Sequence, residues 1–313
     1  MPIINSVSIS ARVTLDLHSL NNEGSEGNQQ QTRMVHVIDE TGNRQVVNAI
    51  SGDMFKHILV EHLTALVIHA GQPLSENARK LHPDRILPDA NFRDFVKNNK
   101  QGNSAILQYM LRNCAVTDLA GTLFAEQAAA RKSCVEFGWV VGVPEKTVTE
   151  QYFHVKFDPQ TREKGAGGES VEGRQAIFHR PASSGIYALI CNLDIYRIGL
   201  NDITRTYELT QEDRASRAKC LVQALAATLL KPTGAQRNTQ QPHIVDCEGS
   251  IATSTGTLPA PTISPLHSEY RTQMDEISKV LNGIQPDSIK VTRFESMASG
   301  IQALSEISSG ITA

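Results

Sequence analysis

From Val7 to His18 apolar and polar residues alternate without a break. Val7, Ile9, Ala11, Val13, Leu15 and Leu17 fall on one side; Ser8, Ser10, Arg12, Thr14, Asp16 and His18 fall on the other. A strand repeats every two residues, so the pattern predicts a strand with one core face and one polar face. An Asn- and Gly-rich loop, 21–28, follows. A polar sheet face beside such a loop suits an extended polar ligand. Residues 33–38 read as a second strand, 39–44 as its turn and 45–50 as a hairpin partner. Ser51 then caps a helix, with Asp53 in its first turn. Met54, Phe55, Ile58, Leu59, Leu63, Leu66 and Val67 recur at helical spacing on its buried side.

The middle of the chain is less regular. Pro73, Pro83 and Pro88 interrupt it, and helices are expected over 104–112 and 119–132. Residues 71–132 therefore read as a helical insertion. Strands are predicted over 133–143, 152–157 and 175–179, with the Gly-rich stretch 158–174 as the excursion of a long hairpin. Residues 186–198 read as a central strand. Thr210-Gln-Glu-Asp213 is a capping box with Asp in place of Glu. The helix it opens places Leu221, Val222, Leu225, Leu229 and Leu230 on the core and stops at Lys231-Pro232. Residues 234–265 show little periodicity and read as loop. A last helix from Leu266, a strand over 288–294 and a frayed helix or tail complete the chain. With the insertions removed, the order is strand, helix, strand, strand, helix, strand. That is the ferredoxin-like plan, used by RNA-recognition modules that bind bases on their sheet.

Several blocks also resemble a known family. Leu15-Asp-Leu-His-Ser-Leu-Asn-Asn-Glu-Gly-Ser-Glu-Gly-Asn28, Thr32-Arg33 and Ser51-Gly-Asp-Met-Phe-Lys-His57 are similar to the DevR autoregulator family. Pro181-Ala-Ser-Ser-Gly-Ile-Tyr-Ala-Leu189 and Pro232-Thr-Gly-Ala-Gln236 resemble its later blocks, in matching order. Members of this family are the repeated backbone subunits of type I CRISPR Cascade complexes. The resemblance implies an α+β fold: an RRM-like palm with an antiparallel sheet, a helical finger insertion and a protruding β-hairpin thumb. The expected organisation is one discontinuous domain. Its palm covers residues 1–70, 133–157, 175–232 and 266–295; 71–132 is the finger insertion and 158–174 the thumb. Residues 233–265 are loop-rich and 296–313 are the tail.

Composition narrows the function classes. The chain has 313 residues, a formal charge of −3 and 20% charged residues. Its pI of about 6.4 argues against a simple basic nucleic-acid binder. Distribution matters more than the sum: between Arg214 and Val245 stand Arg214, Arg217, Lys219, Lys231 and Arg237 with no acid. This reads equally as a positive strip or as a solvated helix face. Cysteines 114, 134, 191, 220 and 247 form no C-x-x-C pair, which points to buried thiols in a reducing compartment and away from zinc or disulfides. No apolar run is long enough to span a membrane and no secretory leader is expected. No metalloprotease, Walker or nucleophile-elbow motif occurs, so neither catalysis nor a metal or other cofactor is expected.

The candidate RNA contacts follow. Lys56 and His57 lie near a helix N-terminus opened by Ser51, a place that attracts phosphate. Asn21, Asn22, Asn28 and Arg33 offer hydrogen bonds to sugar and phosphate, or else serve turn geometry alone. Arg12 either reaches RNA or pairs with Asp16. Lys164 and Arg174 lie in the hairpin excursion, which the resemblance makes a thumb folding over RNA and meeting the next subunit. Ser183 and Ser184, in a turn, are expected to line the same channel. Thr233, Gly234, Gln236 and Arg237 follow a helix in the acid-free strip. The function expected is a non-enzymatic, cytoplasmic RNA-binding scaffold. Its partners would be CRISPR guide RNA, target DNA paired to the guide, copies of itself head to tail and other Cascade subunits. A transcriptional autoregulator and a metal-dependent RNA nuclease centred on Asp53 are the alternatives.

Overall fold

The computed structural model describes residues 4–99, 102–156, 176–233 and 238–312. Twelve strands and eight helices occur among these residues. The spine is a mixed-length sheet in which β1 (Ser6–His18) lies between β10 (Ala176–Leu193) and β11 (His243–Ser254). Outside β11 sits β12 (Ile289–Phe294). On the other side β10 pairs with β9 (Val140–Lys156), and β9 with β5 (Arg44–Ile50) and its hairpin mate β4 (Met34–Ile38). The spine pairings are all antiparallel.

The alternation of β1 does what the pattern demands on its apolar side. Val7, Ile9, Ala11, Val13 and Leu15 are buried in the main core. They meet the inward stripes of α1 (Gly52–His69) and α6 (Gln211–Leu230), which also pack against each other. Phe55, Leu59, Leu63 and Val67 of α1 and Leu221, Leu225 and Leu229 of α6 share that core. Both helices start where the sequence says. Ser51 Oγ accepts from the Met54 amide at 3.2 Å, and Thr210 Oγ1 from the Asp213 amide at 3.1 Å. Each cap satisfies one of the donors a helix start leaves orphaned.

The polar side of β1 is not the open platform its sequence suggests. Residues 260–265 run along it and take up its serines in turn. The Ala260 amide donates to Ser6 Oγ (3.1 Å), Ser8 Oγ donates to the Pro261 carbonyl (2.5 Å) and the Ile263 amide donates to Ser10 Oγ (3.3 Å). Arg12 Nε closes the series on the Pro265 carbonyl at 3.0 Å, with its guanidinium over the Tyr270 ring. The alternation also breaks before its end. Leu17 adopts a left-handed φ of 53° at a bulge, so Leu17 is exposed and His18 is 2% exposed against Tyr187. Burial pulls the His18 pKa down to about 4, so this imidazole is neutral near pH 7.

Other segments depart from the sequence reading. The stretch read as loop over 234–265 contains β11, the full-length neighbour of β1. Its run Glu248-Gly-Ser-Ile-Ala-Thr-Ser254 hid because small residues carry little hydrophobic periodicity. Gly249 is needed there: a Cβ would stand 2.3 Å from the Ser10 carbonyl oxygen. The helix expected over 119–132 is instead α5 (Ala115–Ala120) followed by a short hairpin, β6 (Thr122–Phe124) with β7 (Ala129–Arg131). The helix expected over 104–112 is α4 (Asn103–Asn113). The Asn/Gly loop is a hairpin, β2 (Asn22–Glu26) with β3 (Gln29–Thr32), leaning on the β9–β10 ribbon at His179. The last helices are α7 (Tyr270–Ile284) and α8 (Met297–Gly310).

A buried ion network locks the central insertion onto α6. The Asp118 carboxylate accepts from Arg131 Nη2 at 2.7 Å, from Arg217 Nη1 at 2.8 Å and from the Gly199 amide at 3.1 Å. Arg131 also donates to Asp202 and to the carbonyls of Arg197 and Leu200. Arg217 reaches Gln72 and the Leu111 carbonyl. The positive strip read from the sequence therefore loses its centre: Arg217 is wholly buried, and Arg214 is spent on the Ile198 carbonyl and the Tyr207 ring.

Candidate nucleic-acid interface

The N-terminal turn of α1 lies against the chain segment that joins β8 (Val135–Phe137) to β9. The approach is so close that a Cβ on Gly52 would stand 2.6 Å from the Phe137 carbonyl oxygen. Phe55 packs on Phe137 with ring centroids 5.7 Å apart. Gly52 thus sets the width of the groove that opens beside the helix. From the loop side, Asn21 Oδ1 accepts from the Ser51 amide at 2.8 Å, fixing the cap residue in place.

Two hollows run together here, sharing Asp53, Lys56 and Ser133. The larger, about 460 Å³, adds His57, His82, Arg85, Leu123 and Lys132. The smaller, about 320 Å³, adds Glu136, Phe137 and Trp139. Arg33 sits at the far end, its guanidinium 5.1 Å from the Trp139 ring centre and paired with Glu23. Lys56, Arg85 and Lys132 have no carboxylate within ion-pair distance among the described residues. Burial lowers the Lys56 pKa, and the nearby positive charge of Arg85 lowers it further, against the opposing pull of Asp53 and Glu136. Burial likewise lowers that of Arg85. Cations held together without ion-pair partners, two of them partly dehydrated, favour an incoming anion. The first-turn amides of α1 point the same way.

The residues singled out from the sequence divide. Lys56 and His57 line this groove, Arg33 lies over its Trp139, and Ser51 caps the helix beside it. His57 Nε2 lies 3.1 Å from Glu61 Oε1, and Thr233 Oγ1 donates to Glu61 Oε2 at 2.9 Å. Thr233 is thereby a buried tie between α1 and the end of α6. Asn21 and Asn22 hold the start of the β2–β3 hairpin, Asn22 Oδ1 accepting from Ser19 Oγ at 2.8 Å. Asn28 lies at the exposed hairpin turn, its carbonyl accepting from the His179 amide at 2.9 Å. Arg12 stands apart on the covered face of β1. Ser183 and Ser184 are corrected: they lie inside the continuous strand β10, not in a turn. Ser183 is buried on Thr149 (2.9 Å), and Ser184 Oγ accepts from the Leu17 amide at 2.9 Å across the bulge. Lys164, Arg174, Gly234, Gln236 and Arg237 lie outside the described residues.

Four groove residues escaped the sequence reading. Arg85 and His82 sit in the Pro-interrupted stretch, where no period marks a face. Lys132 follows a three-residue strand that reads as helix. Trp139 fits the alternation of a core strand, and only Gly138 beside it hinted at a break. Among the described residues no cluster of His, Cys, Asp and Glu could hold a metal ion, and no helix is long and apolar enough to cross a membrane.

Comparison with known proteins agrees with this architecture. The family model described as CRISPR-associated negative auto-regulator DevR/Csa2 matches residues 9–274. A protein of Saccharolobus solfataricus named CRISPR-associated protein Cas7/Csa2 1 is 22% identical over 293 residues, covering 90% of each chain. A chain of a solved CRISPR RNA-guided surveillance complex in a pre-nicking state superposes with a TM-score of 0.51 at 13% identity, covering 97% of this chain and all of that one. A second such surveillance complex gives a TM-score of 0.50 at 12% identity over 98% of the chain. At that identity the solved structures speak for the fold, a mixed arrangement of helices and antiparallel sheet. With the family model spanning most of its length, the chain belongs to the DevR/Csa2 family of CRISPR-associated proteins.

Proposed function

We propose that this chain is a backbone subunit of a CRISPR surveillance complex, binding guide RNA through the groove at the N-terminus of α1. The observation that carries the reading is the set of cations Lys56, Arg85 and Lys132 lining one groove with no ion-pair partner among the described residues, the first two partly buried. In this reading the spine β11–β1–β10–β9, backed by α1 and α6, is an RRM-like palm. The residues inserted between α1 and β8 form a finger region. The β9–β10 ribbon carries a thumb whose tip, with Lys164 and Arg174, falls in sequence between the two strands. Phosphate and sugar contacts position the RNA without reading its letters, and base pairing with target DNA supplies specificity. Copies joined head to tail, by a contact that does not close, wind along the guide beside other Cascade subunits. The subunit holds and presents RNA and does not cut it.

The test is to purify the full chain with and without a guide transcript, and to follow absorbance ratio and particle size. Co-purifying RNA and long oligomers are expected. Lys56→Ala, Arg85→Ala and Lys132→Ala should each weaken RNA retention across sequences. Removing one phosphate-binding cation should reduce the slope of log affinity against log salt by about 0.7. Retention unchanged in the triple variant would overturn the groove assignment. Robust cleavage of RNA with Mg²⁺ or Mn²⁺, lost in Asp53→Ala, would instead favour a nuclease.

A further inference from the structure

Trp139 is the chain's single tryptophan, and 44% of it is exposed in the smaller hollow of the groove. Its neighbour two residues earlier, Phe137, is tucked against Phe55. A regular strand would put both rings on one face; the strand breaks at Gly138, so Phe137 is half-buried on Phe55 while the larger Trp139 stands exposed in the groove. Leaving an indole in water forgoes a large apolar gain. The ring is also braced. Arg33 lies over it at 5.1 Å, and Arg33 is itself paired with Glu23 on the β2–β3 hairpin.

The charge along the groove is uneven. At the Trp139 end, Lys56 faces Asp53 and Glu136, and Arg33 is neutralised by Glu23. At the other end stand Arg85 and Lys132, neither in an ion pair among the described residues. A phosphate is favoured at the second end and a flat, uncharged, polarisable group at the first. The two ends share Lys56, so one ligand can span both.

Resting on the RNA-binding reading above, we propose that Trp139 is a base-stacking platform. An unpaired nucleobase of single-stranded nucleic acid stacks on the indole while its backbone runs toward Lys132 and Arg85. Arg33 acts as a positioning residue that holds the ring. Stacking of this kind tolerates any base, because every base offers a π face. Alanine replacement of such platforms weakens binding by about fivefold to a hundredfold per base.

A lone tryptophan makes the test direct. The full chain is titrated with fluorescein-labelled oligouridylate and with an abasic oligomer of equal length. Dye anisotropy reports binding and indole emission reports the site. Quenching by the base-bearing oligomer alone is expected. Trp139→Ala should weaken binding of that oligomer tenfold or more and leave abasic binding unchanged, while Trp139→Phe should retain most of the affinity. Binding without quenching, or equal quenching by the abasic strand, overturns the stacking and leaves the groove reading intact. Absence of binding by either oligomer overturns the groove reading itself, and the inference with it. Emission that shifts with protein concentration alone assigns the ring to a contact between copies and also overturns the proposal. The quenching measurement uses the unaltered chain, so a variant that fails to fold does not blur the outcome.

Discussion

Arg131 and Lys132 are adjacent in the chain and have opposite surroundings. Arg131 is fully buried, its guanidinium shared among the Asp118 and Asp202 carboxylates and the backbone carbonyls of Asp118, Arg197 and Leu200. Lys132 lines the groove, exposed and without an ion-pair partner among the described residues. The network behind it sets Arg131, Arg197 and Arg217 against Asp118, Asp194 and Asp202. Its charges cancel locally and most of its donors are satisfied. The groove does the reverse: it gathers Lys56, Arg85 and Lys132, dehydrates two of them and, among the described residues, sets no carboxylate within ion-pair distance of any. A buried pair fixes structure, because removing one partner strands the other. Unpaired cations in a groove stabilise nothing by themselves and leave their interaction energy for a ligand. Net charge could not reveal this, since each buried arginine counts in the total as much as each cation facing the groove.

The comparison breaks most sharply at Asp118. Asp118→Ala leaves Arg131 and Arg217 buried without their shared carboxylate, and should cost about 3–5 kcal/mol of stability. Denaturant unfolding followed by circular dichroism would measure it. A midpoint close to that of the unaltered chain would mean that the network adds nothing to the fold. The thiol beside it offers no escape route, since burial pushes the Cys134 pKa up to about 12 and keeps it protonated.

Lys132→Glu tests the opposite side. Exposed surface changes usually alter stability by no more than about 0.5 kcal/mol, so the fold should hold. RNA affinity should fall about tenfold, through the missing phosphate contact and the added repulsion. The pair of variants separates the regions cleanly: one loses stability, the other binding. A Lys132→Glu chain that binds RNA normally would place the phosphates elsewhere.

How much of this the sequence could show depends on where the information is local. The caps at Ser51 and Thr210 and the apolar face of β1 are encoded within a few residues and are formed as expected, although the reciprocal half of the box at Thr210 is not made. The covering of the polar face is not local. Ser8 and Ser10 look like solvent-facing positions until residues 260–265, some 250 positions away, are laid on them. The bulge at Leu17 depends on the Ser184 hydroxyl across the sheet. The site shows the same split. Lys56 and His57 were legible because a helix start is a local anion site. Arg85 and Lys132 come from irregular stretches and reach the groove only through tertiary packing, so no period could announce them. Arg217 carried the opposite error, since a long basic side chain on a helix gives no sign that a buried carboxylate waits for it.

The finest test of the comparison is the protonation of Lys56. Its pKa lies below that of an ordinary lysine, first because it is partly buried and then because Arg85 is near. RNA phosphate prefers the charged ammonium. Above the pKa of the free protein, each binding event must therefore take up a proton, and affinity falls as pH rises. The fall should begin below the usual lysine value of about 10.4. An oligomer of adenine and cytosine, whose bases do not titrate in the alkaline range, keeps the probe constant at fixed ionic strength. Lys56→Arg should flatten the profile, because a guanidinium stays charged throughout. Arg85→Ala should lower affinity and also move the fall to higher pH, since it removes the repelling charge. Lys132→Ala should lower affinity and move the fall less than Arg85→Ala does, because Arg85 is the positive charge that weighs most on Lys56. If the Lys56→Arg profile overlays that of the unaltered chain, the ammonium is not the group that meets the phosphate, and the contrast between satisfied and waiting charges loses its central member.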